Sequence, residues 1–174
     1  IITTDVRKEV VAALGAQDVC FIPLGKTVKM PGWKQVHASW LFARADLKKE
    51  YDFFILSGEW AVFAAKKHRP NLLYCHTPPR VLYDLYATFL KRQVFWKKPL
   101  FAGWVQIHRG LLRKQLAAVE KIVCNSHVTK ERIHQYWKRD ADVVCPFATA
   151  DEKKKSTFGD FLLSVNRLYP EKRI

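Results

Sequence analysis

The chain has 174 residues, of which 49% are hydrophobic, and a formal net charge of +14. A chain of this length can bury one sizeable core, and its hydrophobic content with six tryptophans excludes a disordered polypeptide. No stretch reaches the roughly 18 uninterrupted apolar residues that a membrane span needs. The composition therefore predicts a folded protein that is soluble or peripheral to a membrane.

Short apolar runs alternate with helical patterns along the chain. The predicted strands are Ile1–Thr3, Val19–Pro23, Phe53–Leu56, Leu72–Cys75, Lys121–Cys124 and Val143–Cys145. The predicted helices are Val6–Leu14, Ser39–Lys49, Trp60–His68, Arg80–Lys91, Val105–Val119 and His127–Arg139. The strands are continuously hydrophobic, which is typical of a parallel sheet covered on both faces. This alternation predicts an α/β fold with a doubly wound parallel sheet flanked by helices.

Polar residues follow the fourth predicted strand. His76 stands at its carboxyl end, and Thr77 and two prolines stiffen the loop that follows. A histidine there faces the crevice in which open α/β sheets bind ligands, and it can donate a hydrogen bond. A histidine capped by backbone at a tight turn explains the same pattern. Arg80, in the next helical turn, either contacts an anionic group or is solvent-exposed.

Asn125 and Ser126 mark a second junction between a strand and a helix. The free backbone amides of a helix start favour phosphate or another anion. Serine is also a preferred N-cap residue, so capping alone accounts for this pair.

The end of the chain resembles the beginning of a second domain. Residues 148–157 are polar and predict a linker between domain 1–147 and a segment 158–174. A buried strand is predicted at Phe161–Val165, and Arg167 and Lys172 follow it, five positions apart. Two cations beyond a strand end suit a diphosphate, although a solvated basic tail is the simpler reading.

The positive charge is concentrated in one segment. No acidic residue occurs between Asp84 and Glu120. The cations of this segment are Lys91, Arg92, Lys97, Lys98, Arg109, Arg113 and Lys114, and its aromatic residues include Phe89, Phe95, Trp96, Phe101 and Trp104. This mixture suits binding to an anionic membrane surface. The residues predicted to contact that surface are Lys91, Arg92, Trp96, Lys97, Lys98 and Trp104. Nucleic acid binding, or two amphipathic helices with solvated lysine faces, would use the same residues.

The cysteines and histidines give no sign of a metal site. Cys20, Cys75, Cys124 and Cys145 lie in apolar runs without C-x-x-C spacing. They are therefore predicted to be reduced, buried thiols of a cytosolic protein. His127 and His134 share a predicted helix face, but no third ligand accompanies them. We expect neither a metal nor a cofactor.

Several segments, in order, resemble the GT-B glycosyltransferases of family 4. They are IVCNS, a helix containing ERI and Tyr136, VVCPF, a polar spacer and SVNRLYPEKR. The family's order is strand, NS, helix, strand, linker, strand and R-L-x-P-x-K. YCHTPPR with Tyr83 and Asp84 resembles the mannosyltransferase-type branch, and the likeness covers residues 50 to 174.

The resemblance implies a retaining, metal-independent enzyme. Such an enzyme moves a sugar from a nucleotide-sugar such as GDP-mannose to a glycan or lipid-linked acceptor at the cytoplasmic face of a membrane. By this resemblance His76 is catalytic, and Arg167 and Lys172 neutralise the donor diphosphate. The residues predicted to contact the acceptor or line the cleft are Thr77, Arg80, Asn125 and Ser126.

The resemblance also implies a chain truncated at both ends. Residues 1–147 would be a Rossmann-like acceptor domain without its first strand and Gly-rich loop. The family's E-x7-E motif would lie beyond Ile174, so the chain alone is expected to be inactive. Two alternatives stay open: a basic α/β module that binds nucleic acid, and an inactive partner subunit.

Overall fold

A computed structural model describes residues 1–4, 19–28, 30, 33–147 and 160 of the chain. Some of the predicted features lie outside these described residues. They are the helix Val6–Leu14, the linker 148–157, the strand Phe161–Val165, and the cations Arg167 and Lys172. Statements about them therefore stay predictions.

Strands and helices alternate through the described residues. The strands are β1 (Ile2–Thr3), β2 (Ile22–Pro23), β3 (Phe54–Ser57), β4 (Asn71–Cys75), β5 (Lys121–Cys124) and β6 (Asp142–Val143). The α-helices are α1 (Trp33–Arg44), α2 (Tyr86–Arg92), α3 (Lys98–Leu116) and α4 (His127–Trp137). Short 3₁₀ turns occur at Ala61–Ala64, Arg80–Leu82 and Phe95–Lys97.

The strands form two parallel sheets. The larger sheet has the order β3-β4-β5-β6, and the smaller one pairs β1 with β2. Parallel strands flanked by helices confirm the predicted α/β class. The larger sheet follows chain order without reversal, so the doubly wound arrangement is not found among the described strands of this sheet. A cavity of about 650 Å³ is lined by residues of both β1 and β3.

The core lies between the larger sheet and the helices that cover it. Helix α3 buries Val105, His108, Leu112 and Leu116, which recur three or four positions apart and so share one face. Ile133 of α4 is completely buried in the same cluster. Each fully buried aliphatic side chain of this size contributes about 1.5–3 kcal/mol through removal of apolar surface from water.

The predicted helix Trp60–His68 is wrong, since only the 3₁₀ turn Ala61–Ala64 forms there. A side chain bonds carbonyls that would continue an α-helix. Asn71 Nδ2 donates to the carbonyls of Ala65 at 3.0 Å and His68 at 2.7 Å. Such bonds compete with the helical hydrogen-bond pattern.

The predicted helix Arg80–Lys91 is interrupted for a similar reason. Arg109 donates from Nε to the Leu82 carbonyl at 2.7 Å, and a second guanidinium nitrogen contacts the same oxygen. The chain therefore makes a 3₁₀ turn at Arg80–Leu82 and resumes as α2 at Tyr86. Arg109 is also withdrawn from the predicted basic surface by this bond.

The other helix boundaries differ by several residues. Helix α1 occupies Trp33–Arg44 instead of Ser39–Lys49. Helix α3 begins at Lys98 instead of Val105, with a proline in its first turn, where no helical hydrogen bond is lost.

Two of the four cysteines contradict the prediction of buried thiols. Cys75 and Cys124 are buried, whereas Cys20 and Cys145 are exposed. The reason is that β2 begins only at Ile22 and β6 ends at Val143. Burial raises the pKa of the Cys75 thiol to about 12, so this thiol stays protonated and unreactive at neutral pH.

Candidate functional site

The candidate site lies where β3 and β4 end. Ser57 of β3 is paired with Tyr74 of β4, so the loops that follow both strands leave the sheet side by side. Between them opens a cavity of about 240 Å³, whose polar lining includes Glu59, His76 and Arg80. This is the edge at which open α/β sheets bind ligands.

His76 is held at this edge by two neighbouring side chains and remains exposed. Its Nε2 lies 3.3 Å from the Ser57 hydroxyl oxygen, within hydrogen-bonding distance. Its ring meets Tyr74 edge to face, with centroids 5.2 Å apart and planes at 80°. The imidazole is therefore oriented yet accessible, as a group that contacts a ligand must be.

Helix α4 holds the backbone of the His76 loop. The hydroxyl of Thr129, in the first turn of α4, lies 3.1 Å from the His76 carbonyl and 2.8 Å from Asn125 Oδ1. Thr129 is itself only 4% exposed. The Ser126 hydroxyl oxygen caps the helix by accepting the backbone N–H of Thr129 at 3.3 Å.

These contacts divide the residues that the sequence assigned to the cleft. Thr77 and Arg80 line the cavity together with His76, whereas Asn125 and Ser126 do not. The last two fix the start of α4 and so support the loop from behind. A capping role therefore accounts for Ser126.

Two guanidinium groups share one carboxylate beside the site, and of these three residues Arg80 lines the cavity. Arg80 Nε lies 2.9 Å from Asp84 Oδ2, and Arg132 Nη2 lies 3.7 Å from the same oxygen. Arg132 also donates from Nη1 to the Thr77 hydroxyl at 3.3 Å. One carboxylate cannot neutralise both cations, so the surroundings of Arg80 favour an anionic ligand group.

Arg132 was missed by the sequence reading. Its contact with Thr77 spans 55 positions, and no local pattern marks such a pair. It lies in the middle of α4, and although the ERI segment contributed to the family resemblance, nothing in the sequence marked Arg132 as a site residue.

Glu59 was also missed, although a signal for it existed. It stands two residues after β3, as His76 directly follows β4. The expectation that ligand-binding residues follow the carboxyl ends of parallel strands therefore applies to Glu59 as well. The residue is accessible to solvent, but surrounding protein atoms desolvate its carboxyl group and raise its pKa to about 7. No hydrogen bond or ion pair joins this carboxyl to another of the residues described.

The larger cavity, between the two sheets, offers less chemistry. Its lining is mostly apolar, and its histidine, His68, is already bonded at both ring nitrogens. Nε2 accepts the Leu47 backbone N–H at 3.0 Å, while Nδ1 lies 2.8 Å from the Ala64 carbonyl. The smaller cavity is therefore the candidate site, despite its smaller volume.

The described ranges contain no cluster of three or more histidine, cysteine or acidic residues placed to bind a metal ion. In the same part of the chain, no helix combines the length and apolar character needed to cross a bilayer.

An exposed basic corner, defined here as residues 91–100, joins α2 to α3. It contains Lys91, Arg92, Trp96, Lys97 and Lys98, which are all exposed. Apolar residues are exposed among them, namely Val94 (54%), Phe95 (80%), Trp96 (55%) and Leu100 (69%).

Trp104 does not belong to the basic corner. It is partly buried against the core and lies 4.1 Å, between ring centroids, from His108. Leu112 of α3 lines the candidate cavity. At 1.5 Å per residue, Lys98 lies about 20 Å along the helix from Leu112, so the basic corner does not line the cavity.

No protein-family model, curated protein or solved structure matches the chain.

Proposed function

We propose that the chain belongs to a retaining GT-B glycosyltransferase and forms its Rossmann-like acceptor domain. The enzyme transfers a sugar, with mannose from GDP-mannose as the leading candidate, to a glycan or lipid-linked acceptor. The observation that carries this proposal is the cavity at the carboxyl ends of β3 and β4, with His76 exposed in its wall.

The chemistry of the cavity suits a sugar. Sugar hydroxyls both donate and accept hydrogen bonds, and the imidazole of His76, the Thr77 hydroxyl and the Glu59 carboxyl meet in one space. The cavity volume of about 240 Å³ accommodates a single small ring rather than a long polymer. His76 is the residue that would contact the transferred sugar.

The positive side of the cavity suits the charged end of an acceptor or donor. Arg80 and Arg132 present two cations against the single carboxylate of Asp84. A phosphate of a lipid-linked acceptor is the anionic group that these arginines would bind most strongly. Arg167 and Lys172 remain our candidates for the donor diphosphate, because a leaving nucleoside diphosphate gains negative charge and preplaced cations stabilise it.

The basic corner suits attachment to the cytoplasmic face of a membrane. Its cations attract anionic headgroups, and its aromatic rings settle at the interface. Val94 and Leu100 favour a membrane over nucleic acid, because exposed aliphatic side chains gain from insertion but do not stack on bases.

A transfer assay with the full-length protein that contains this chain tests the proposal. Wild-type protein is expected to move labelled mannose from GDP-mannose to lipid-linked acceptors. The substitution His76→Ala should lower turnover by roughly 100-fold, since one preorganised hydrogen-bond donor in a site is worth that much.

His134→Ala is the matched control, because His134 is an exposed histidine of α4 outside the cavity lining. It should leave turnover unchanged. Equal turnover of His76→Ala and wild type would remove His76 from the mechanism. Absence of transfer from every nucleotide-sugar offered to the wild type would contradict the proposed function itself.

A further inference from the structure

Glu59 is in an unusual position for a carboxylate. It lies in the loop that follows β3, in the wall of the cavity that also contains His76, Thr77 and Arg80. Its side chain is accessible to solvent, yet the protein atoms around the carboxyl group make the charged form costly, and a cation or hydrogen-bond donors would offset that cost. Among the residues described, Glu59 has neither.

The nearest cation of the site is already engaged. Arg80 lines the same cavity, but its Nε donates to Asp84 at 2.9 Å, and Arg132 contacts that carboxylate as well. Asp84 is the carboxylate that both guanidinium groups contact, and neither forms an ion pair with Glu59 among the residues described. The two acidic residues have different roles: one orients the arginines and the other is left for a ligand.

The loop leaves room for a ligand beside Glu59. Gly58, which precedes it, adopts a positive φ of 93° and has no atom within 4 Å of the position that a Cβ would occupy. Gly58 and Glu59 both line the cavity, and the space beside Gly58 is open.

We propose that Glu59 is a hydroxyl-binding residue, which accepts a hydrogen bond from a sugar hydroxyl group held in the cavity beside His76. The inference rests on the proposed function in that it names the group that the site recognises. A hydroxyl donor would supply the hydrogen bond that the carboxyl lacks in the described structure. Desolvation already raises the pKa of this carboxyl to about 7, and such a donor would lower it towards its ordinary value.

Nuclear magnetic resonance on the chain tests this assignment directly. With ¹³C-labelled glutamate, addition of methyl α-mannopyranoside should shift the Glu59 carboxyl resonance in a saturable manner. The Glu50 resonance should not move, because Glu50 is an exposed glutamate outside the cavity lining. This readout needs no variant and so does not depend on any substitution being tolerated.

Substitution supplies the second measurement. Glu59→Gln, which keeps the shape of the side chain, should weaken glycoside binding roughly 10-fold or more, as expected for a hydrogen bond to a charged group. Glu50→Gln should leave the affinity at its wild-type value. Backbone amide spectra of both variants report whether the fold is retained.

The outcomes separate this inference from the proposed function. Normal transfer activity with an unmoved Glu59 resonance and a wild-type affinity in Glu59→Gln would overturn the inference while the function stands. Saturable glycoside binding that depends on Glu59, in a protein without transfer activity, would support the inference while the function falls. No saturable glycoside binding would overturn the inference.

Discussion

Asn71, at the start of β4, connects three parts of the chain through a single side chain. It is 1% exposed, and its amide Nδ2 donates to the carbonyls of His68 at 2.7 Å, Ala65 at 3.0 Å and Ala118 at 3.2 Å. Its Oδ1 accepts the Glu120 backbone N–H at 3.1 Å. The residue thus joins the turn before β4 to the connection between α3 and β5.

Asn71→Ala should lower the free energy of unfolding by roughly 2–4 kcal/mol, because it leaves several buried carbonyls without partners. Urea denaturation measures this change. Gln106→Ala is the control, since Gln106 is exposed on α3 and its substitution should change stability by less than about 0.5 kcal/mol. Equal stability of the two variants would show that the Asn71 bonds contribute little.

Individual site residues differed in how far the sequence revealed them. His76 could be selected because a strand end followed by prolines is a local pattern, and the structure places it in a cavity wall. Arg132 could not, because it enters the site through a contact with Thr77 across 55 positions. Glu59 could have been selected because it follows the carboxyl end of β3, but only the structure shows that its carboxyl group has no partner among the described residues.

The strands β3, β4 and β5 were predicted more closely than most of the helices, whereas β2 and β6 are shorter or shifted relative to their predictions. The strand predicted at Lys121–Cys124 matches β5, and β3 and β4 differ from their predictions by one residue at some of their ends. A short run of apolar residues marks a strand, even in β3, where Ile55 is 69% exposed. The helix boundaries depended on side chains such as Asn71 and Arg109, which donate hydrogen bonds to carbonyls within the predicted helices. The sequence of the predicted helix itself does not reveal these bonds.

The start of α4 is the element that supports the candidate site. Thr129→Val keeps the shape of this buried side chain but removes its hydroxyl, which lies 3.1 Å from the His76 carbonyl. We expect a loss of about 1 kcal/mol in stability and faster amide hydrogen exchange in the loop from His76 to Thr77. Hydrogen-exchange mass spectrometry, with urea denaturation, measures both effects.

Thr88→Val is the matched control for this change, because Thr88 is an exposed threonine of α2. It should leave exchange in the His76 loop unchanged. If Thr129→Val also left that exchange at the wild-type rate, the hydroxyl would not be what holds the loop.

At the scale of the whole molecule, charge and exposed apolar surface coincide in the basic corner. The chain carries 30 lysine and arginine residues against 16 acidic ones, and the corner adds exposed apolar side chains to several of these cations. Lys97 Nζ lies 4.8 Å from the centre of the Trp96 ring, so charge and indole are presented together. A surface that binds anions by charge alone would need the cations but not the exposed apolar side chains.

The double substitution Lys97→Glu with Lys98→Glu should therefore weaken binding to phosphatidylserine liposomes by roughly 30-fold or more, since each basic residue near such a surface contributes about 1 kcal/mol. The fold should tolerate the change, because Lys98 begins α3 and an acidic residue is favourable at a helix start. Liposome sedimentation measures the binding.

Lys48→Glu with Lys49→Glu makes the same change of charge at two exposed lysines far from this corner in sequence, and should weaken binding much less. Equal losses of liposome binding in the two double variants would mean that net charge alone drives attachment. Strong, salt-dependent binding to oligonucleotides without binding to liposomes would favour a nucleic acid partner instead.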